Sequence, residues 1–273
     1  MRMRDYDKTQ SEFNEWIDNV HTKNDEYFEV ITEIMPVFLD FVKYCKHKNT
    51  ILALSAFHTH LSNLKNAIID TSETNNLYST KALYRVYLEH WLKGVYILER
   101  YTREKNDNVG IEYNNLGKIG EELQYGNSLK AVGAMIDMEA KKLDVWDTLC
   151  EFSPELKKID KKEIKSNIVK FQYRNIVKYL SDNNSPVKDW ALIIIPEYSE
   201  LSSYVHGGAS ATSEYANSYD KQFKEYKGMI RFSINTSRLF SYSLFLLMLR
   251  NASDKEKKIL PLLQKLKDKK DIL

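Results

Sequence analysis

This chain holds little that bends, breaks or staples a polypeptide. Nine glycines and five prolines in 273 residues leave few turns, which argues against a sandwich or barrel of short strands. Only two cysteines are present, Cys45 and Cys150. They offer no metal-ligand spacing and no disulfide framework, and so fit a reducing compartment. Long apolar runs are missing too. The greasiest stretch, Leu239 to Leu249, is closed by Arg238 and Arg250 and falls well short of the roughly 20 residues a bilayer span needs. The opening MRMRDYDKTQ has no apolar core of a secretion signal, so a cytoplasmic location and no membrane partner are expected. A formal charge of +2 is too small to mark a nucleic-acid partner by itself. Arginine is scarce, nine against 31 lysines, so each arginine is worth locating.

What is present is helical periodicity. The apolar positions Phe28, Ile31, Met35, Phe38 and Val42 make one stripe between 25 and 44. Leu54, Phe57, Leu61, Leu64 and Ile68 make a second, in a helix expected to start at Thr50 as N-cap. TSETNN at 71–76 reads as a turn. The third helix, about 78–102, is apolar nearly all round (Tyr84, Tyr87, Leu88, Trp91, Val95) and belongs in the middle of a bundle. KNDNVGIEYNNLG reads as a loop, and SPELKKIDKKE as a solvated linker. Ser185 and Pro186 look like a helix start, and Pro196 is expected to divide that helix in two. A last long helix is placed at 218–251. The expected architecture is all-α: a single domain formed as an antiparallel helix bundle. Its core lies at 25–104 and 185–251, a peripheral helical insert at 105–184, and a basic amphipathic tail at 252–273.

Polar residues interrupt this pattern at three places. Arg85 and Glu89 lie four apart on the third helix, on one face. They read either as a structural ion pair that fixes register, or as a glutamate orienting an arginine toward a bound anion. Arg231, Asn235, Arg238 and Tyr242 share a face of the last helix and could grip a phosphodiester or pair with neighbouring acids. The stretch ELSSYVHGGAS ends a helix on His206, with Ser202, Ser203 and Tyr204 in its last turn and Gly207 to stop it. His206 reads as a capping histidine or as a general acid or base. No G-x-S-x-G accompanies the serines. His58 and His60 point some 200° apart on a helix and share no metal.

The R-x-x-x-E of Arg85 to Glu89, followed by the S-x-Y-x-H-G of Ser202 to Gly207, resembles helical prokaryotic proteins grouped near the HEPN superfamily. These belong to toxin, abortive-infection and antiphage-defence systems. Catalytic members are ribonucleases with an R-x4-6-H motif, matched here by Arg85 to His90. Val86 replaces the usual polar neighbour, and positions 85 and 90 stand about 140° apart on a helix. The resemblance implies a metal-independent endoribonuclease without a cofactor. His206, or else His90, would move protons, and Arg85, steadied by Glu89, would stabilise the phosphate. It also implies a homodimer acting on RNA or a nucleotide. The competing expectation is a non-catalytic helical module holding a nucleotide or a protein partner.

Overall fold

The computed structural model describes residues 3–136, 139, 142–208, 219–250 and 256–268. All regular structure among them is helical. Four long helices make the body: α1 (Met3–Tyr44), α2 (Lys48–Glu73), α3 (Leu77–Glu104) and, late in the chain, α10 (Tyr219–Arg250). Short helices fill the interval: α4 (Asn108–Ile111), α5 (Gly117–Ile136), α6 (Val145–Phe152), α7 (Lys161–Lys170), α8 (Tyr173–Asp182) and α9 (Lys188–Val205). A final α11 (Leu260–Asp268) follows α10.

Helix α3 is the hub, as its apolar circumference requires. It packs on α2, α8, α9 and α10. Trp91 and Tyr87 are sealed from solvent, each a burial of about 1.5–3 kcal/mol for an aromatic of this size. The Tyr87 hydroxyl is not stranded: it donates to the Ser233 carbonyl at 2.7 Å and lies 2.7 Å from Thr236 Oγ1, which ties α3 to α10. A three-residue turn joins α2 to α3, with Asn75 in the left-handed region at φ 53°, where asparagine is tolerated. The two helices therefore run antiparallel along a shared face.

Several local expectations are revised. Helix α1 starts far earlier than residue 25, and Phe13, Ile17 and Val20 join the core. Thr50 is not an N-cap but sits buried within the first turn of α2, after His47. That turn is capped from a distance instead: Asp107 accepts from the Thr50 amide at 2.7 Å and the Asn49 amide at 3.1 Å, satisfying two of the orphan donors of a helix start. The segment read as a loop at 105–117 is largely helical, α4 running through a π-helical turn at Glu112–Leu116 into α5. Arg100 anchors that turn by donating to Glu112 at 2.6 Å and to Glu104 at 2.6 Å. Helix α9 begins at Lys188 rather than at Pro186, and it continues through Pro196 without a break. The proline removes one amide that would bond to residue 192, and Leu192 is exposed, so water can satisfy that carbonyl. The basic tail supplies Leu263 and Leu266 to the core, through contacts of α11 with α1 and α10.

Candidate functional site at the seam of α3 and α9

Arg85 points across the seam to α9. Its Nε donates to Ser202 Oγ at 3.3 Å and its Nη2 to Tyr198 Oη at 3.0 Å, while its guanidinium carbon stands 4.9 Å from the Tyr198 ring centre. Tyr198 and Ser202 are four apart on α9 and present one face to it. The expected ion pair with Glu89 does not form. Glu89 accepts instead from Lys93 at 2.8 Å, one turn along its own helix, and its other oxygen lies 3.5 Å from Tyr198 Oη. Burial works against the Glu89 carboxylate, but the Lys93 hydrogen bond and the charges of Lys93 and Arg85 outweigh it and hold the group below its usual range. Arg85 is thus a half-buried cation whose direct partners are two neutral hydroxyls, and its Nη1 makes no hydrogen bond among the described residues.

The other residues of the motif separate around the helix. Ser203 is exposed, and Tyr204 is buried on the far side of α9, 4.8 Å from the Lys81 ammonium. His206 is exposed at the C-terminus of α9. Gly207 follows at φ +76°, and the amides of Gly207 and Gly208 close the helix on Tyr204 and Ser203, the glycine termination expected from the sequence. The His206 ring makes no hydrogen bond among the described residues. It lies four residues, one helical turn, beyond Ser202, so it follows the face that meets Arg85. His90 turns away toward α2: its Nδ1 lies 2.9 Å from the Val86 carbonyl and its ring packs against Phe57 and His60. Burial leads the lowering of its pKa. Arg85 and His90 therefore do not share a site, as their angular separation demands.

The second arginine stripe belongs elsewhere. Arg231 stands 5.6 Å from the Trp16 ring centre and Arg238 stands 4.9 Å from that of Tyr27, both on α1. Buried Arg238 also donates to the Lys23 carbonyl at 2.9 Å. Asn235 and Tyr242 are half-buried along α10. Arg238 reads as a pin between helices, and the two arginines of the stripe face α1 while Arg85 faces α9.

The chain matches no family model, no curated protein and no solved structure.

Two cavities flank α9. One, of about 380 Å³, is lined by Glu89 and Tyr198 together with Lys93, Tyr113, Asn167 and Tyr173 among others. The other, of about 560 Å³, includes Lys81, Tyr84, Glu197, Glu200, Tyr204 and Glu225. In the latter, Lys81 pairs with Glu225 at 2.9 Å, and burial pushes the Glu197 carboxyl up, against a hydrogen bond from Tyr84. Tyr198 and Lys93 escaped the sequence reading. Tyr198 had a signal in its i, i+4 relation to Ser202, and Lys93 in the same relation to Glu89. Among the described residues, no group of histidine, cysteine, aspartate and glutamate could hold a metal ion, and no helix is long and apolar enough to cross a membrane.

Proposed function

We propose that the seam of α3 and α9 binds the phosphate of a nucleotide or RNA strand through Arg85, in a HEPN-like helical module of a defence or toxin system. One observation carries the reading: Arg85 is held in place by Ser202 and Tyr198, both uncharged, while the direct ion pair of Glu89 is with Lys93. The guanidinium is thereby oriented without being cancelled, which suits charge-assisted bonds to phosphate oxygens.

A second reading, a metal-independent endoribonuclease, is favoured by the exposed His206 one turn beyond Ser202. In that chemistry the imidazole takes the proton of a ribose 2′-hydroxyl, and the 2′-oxygen bonds to phosphorus. The bond from phosphorus to the 5′-oxygen breaks, and that oxygen leaves with a proton, giving a 2′,3′-cyclic phosphate and a 5′-hydroxyl. Arg85 would meet the charge that builds on the phosphate oxygens. The test is incubation with mixed RNA in EDTA, beside Arg85→Ala and His206→Ala. Binding lost only in Arg85→Ala, with the RNA intact, supports the module. Cyclic-phosphate ends that vanish in both variants support the nuclease. RNA and mononucleotides neither bound nor cut overturn both.

A further inference from the structure

The 380 Å³ cavity between α3, α5, α7, α8 and α9 shares Glu89 and Tyr198 with the Arg85 seam, but the rest of its lining has a different chemistry. Its walls carry the rings of Tyr113, Phe171, Tyr173 and Tyr198, with Tyr173 and Tyr198 stacked at 4.5 Å and 15°. Among the residues that line it, the charged groups are two carboxylates, Glu89 and Glu121, against one ammonium, Lys93, with the Arg85 guanidinium just outside, over the Tyr198 ring.

The decisive group is Asn167, on α7. It is 1% exposed and lines the cavity. Its Nδ2 donates to the Glu112 carbonyl at 2.8 Å, yet its Oδ1 accepts no hydrogen bond from the described residues. A buried carbonyl oxygen left this way costs on the order of 1–3 kcal/mol, so a bare acceptor on a residue that lines a cavity points to a donor that arrives from elsewhere. Glu89 adds a second acceptor. One of its oxygens takes Lys93 and the other stands 3.5 Å from Tyr198 Oη, too far for a strong O–H···O bond. The Tyr113 phenol feels the same environment: burial and the carboxylates of Glu121 and Glu89 hold it above its ordinary range. Unused acceptors, an excess of carboxylates in the lining and aromatic faces together select a positively charged group rich in N–H. They disfavour a phosphate.

We propose that this cavity binds a small organic cation with N–H donors, an alkylguanidinium or alkylammonium. The cation gives hydrogen bonds to Asn167 Oδ1 and Glu89, lies against Tyr113 and Tyr173, and is balanced by Glu121 at the rim. Its size falls within the range of cavities that hold small molecules, about 300–1,000 Å³.

Calorimetric titration of the full chain with agmatine tests this. Two controls separate the chemistry: tetramethylammonium, a cation without N–H, and butyramide, with N–H but no charge. Agmatine is expected to bind, and each control at least about tenfold more weakly. Asn167→Leu should abolish agmatine binding. Glu121→Gln, an exposed position whose change leaves the fold alone, should weaken it about fivefold and decides the matter should Asn167→Leu fail to fold. The proposal is overturned if agmatine gives no heat, if either control binds as tightly, or if Glu121→Gln binds as the parent does. No phosphate ligand enters the titration, so its result is independent of the reading of Arg85.

Discussion

His58 provides a quantitative check on the packing of α2 against α10. Its ring lies 5.8 Å from that of Phe245, edge to face, and burial, with the charge of Lys65 adding to it, pushes its pKa down to about 4 from an ordinary 6.5. The folded pKa is below the unfolded one, so the unfolded chain binds more protons between those values. Stability is therefore held above pH 6.5 and lost as pH falls toward 4. Integrating over that window gives a loss of about 2 kcal/mol by pH 5 and about 3 kcal/mol once both states are protonated. Other acids titrate in the same range, so the assay compares the parent with His58→Leu by urea unfolding at pH 7.5, 6 and 5. Between the first and last of these, the parent should lose about 2 kcal/mol relative to the leucine variant. Profiles that stay parallel to within about 0.5 kcal/mol would show that His58 is solvated in both states, and would refute the packing argument.

Lys65 gives the opposite end of the pH scale: burial, then the charge of Arg238, lowers it to about 8 from 10.5, so the parent should gain up to about 3 kcal/mol on Lys65→Met between those pH values in urea melts. Asp107→Asn removes the charged cap on α2 and should cost about 1–2 kcal/mol at pH 7 in chemical denaturation. The Asp107 carboxyl is held below its usual value, with burial opposing the bonds from Thr50 and Asn49, so that gap should close as pH falls below the ordinary aspartate range. A side-chain carbon on Gly110 would stand 2.1 Å from the Thr50 backbone nitrogen, whereas one on Gly207 would meet nothing within 4 Å. Gly110→Ala should therefore cost more than about 3 kcal/mol by thermal or urea unfolding. Gly207→Ala, strained only by its φ of +76°, should cost about 1 kcal/mol.

Apart from the first half of α1, the long helices were legible because each carries an apolar stripe that repeats with the turn of the helix, as Leu54, Phe57 and Leu61 do on α2. The 105–117 segment was not, because its two glycines, Gly110 and Gly117, and its asparagines mask a helix stabilised by distant partners: Asp107 with α2, and Glu112 with Arg100 and Lys170. At the site, spacing put Arg85 and Glu89 on one face correctly but could not say which cation Glu89 would choose. Lys93 wins because it lies one turn away on the same helix, while Arg85 is drawn across to the hydroxyls of α9. The contiguous Ser202, Ser203 and Tyr204 looked like one cluster. A helix turns about 100° per residue, and so delivers them to three different surroundings. The Asn167 acceptor was invisible, since nothing in a linear pattern tells which buried amide lacks a donor.

The account turns on Arg85 as an oriented, uncancelled cation. Its Nε–H can be followed directly by nitrogen-15 NMR of the arginine side chains while a short RNA oligonucleotide, and then a mononucleotide, is titrated in. The predicted result is a saturable shift of the Arg85 Nε signal, with that of Arg238, pinned against α1, unmoved. Binding that shifts other arginines and leaves Arg85 still, or no shift of any, would contradict it.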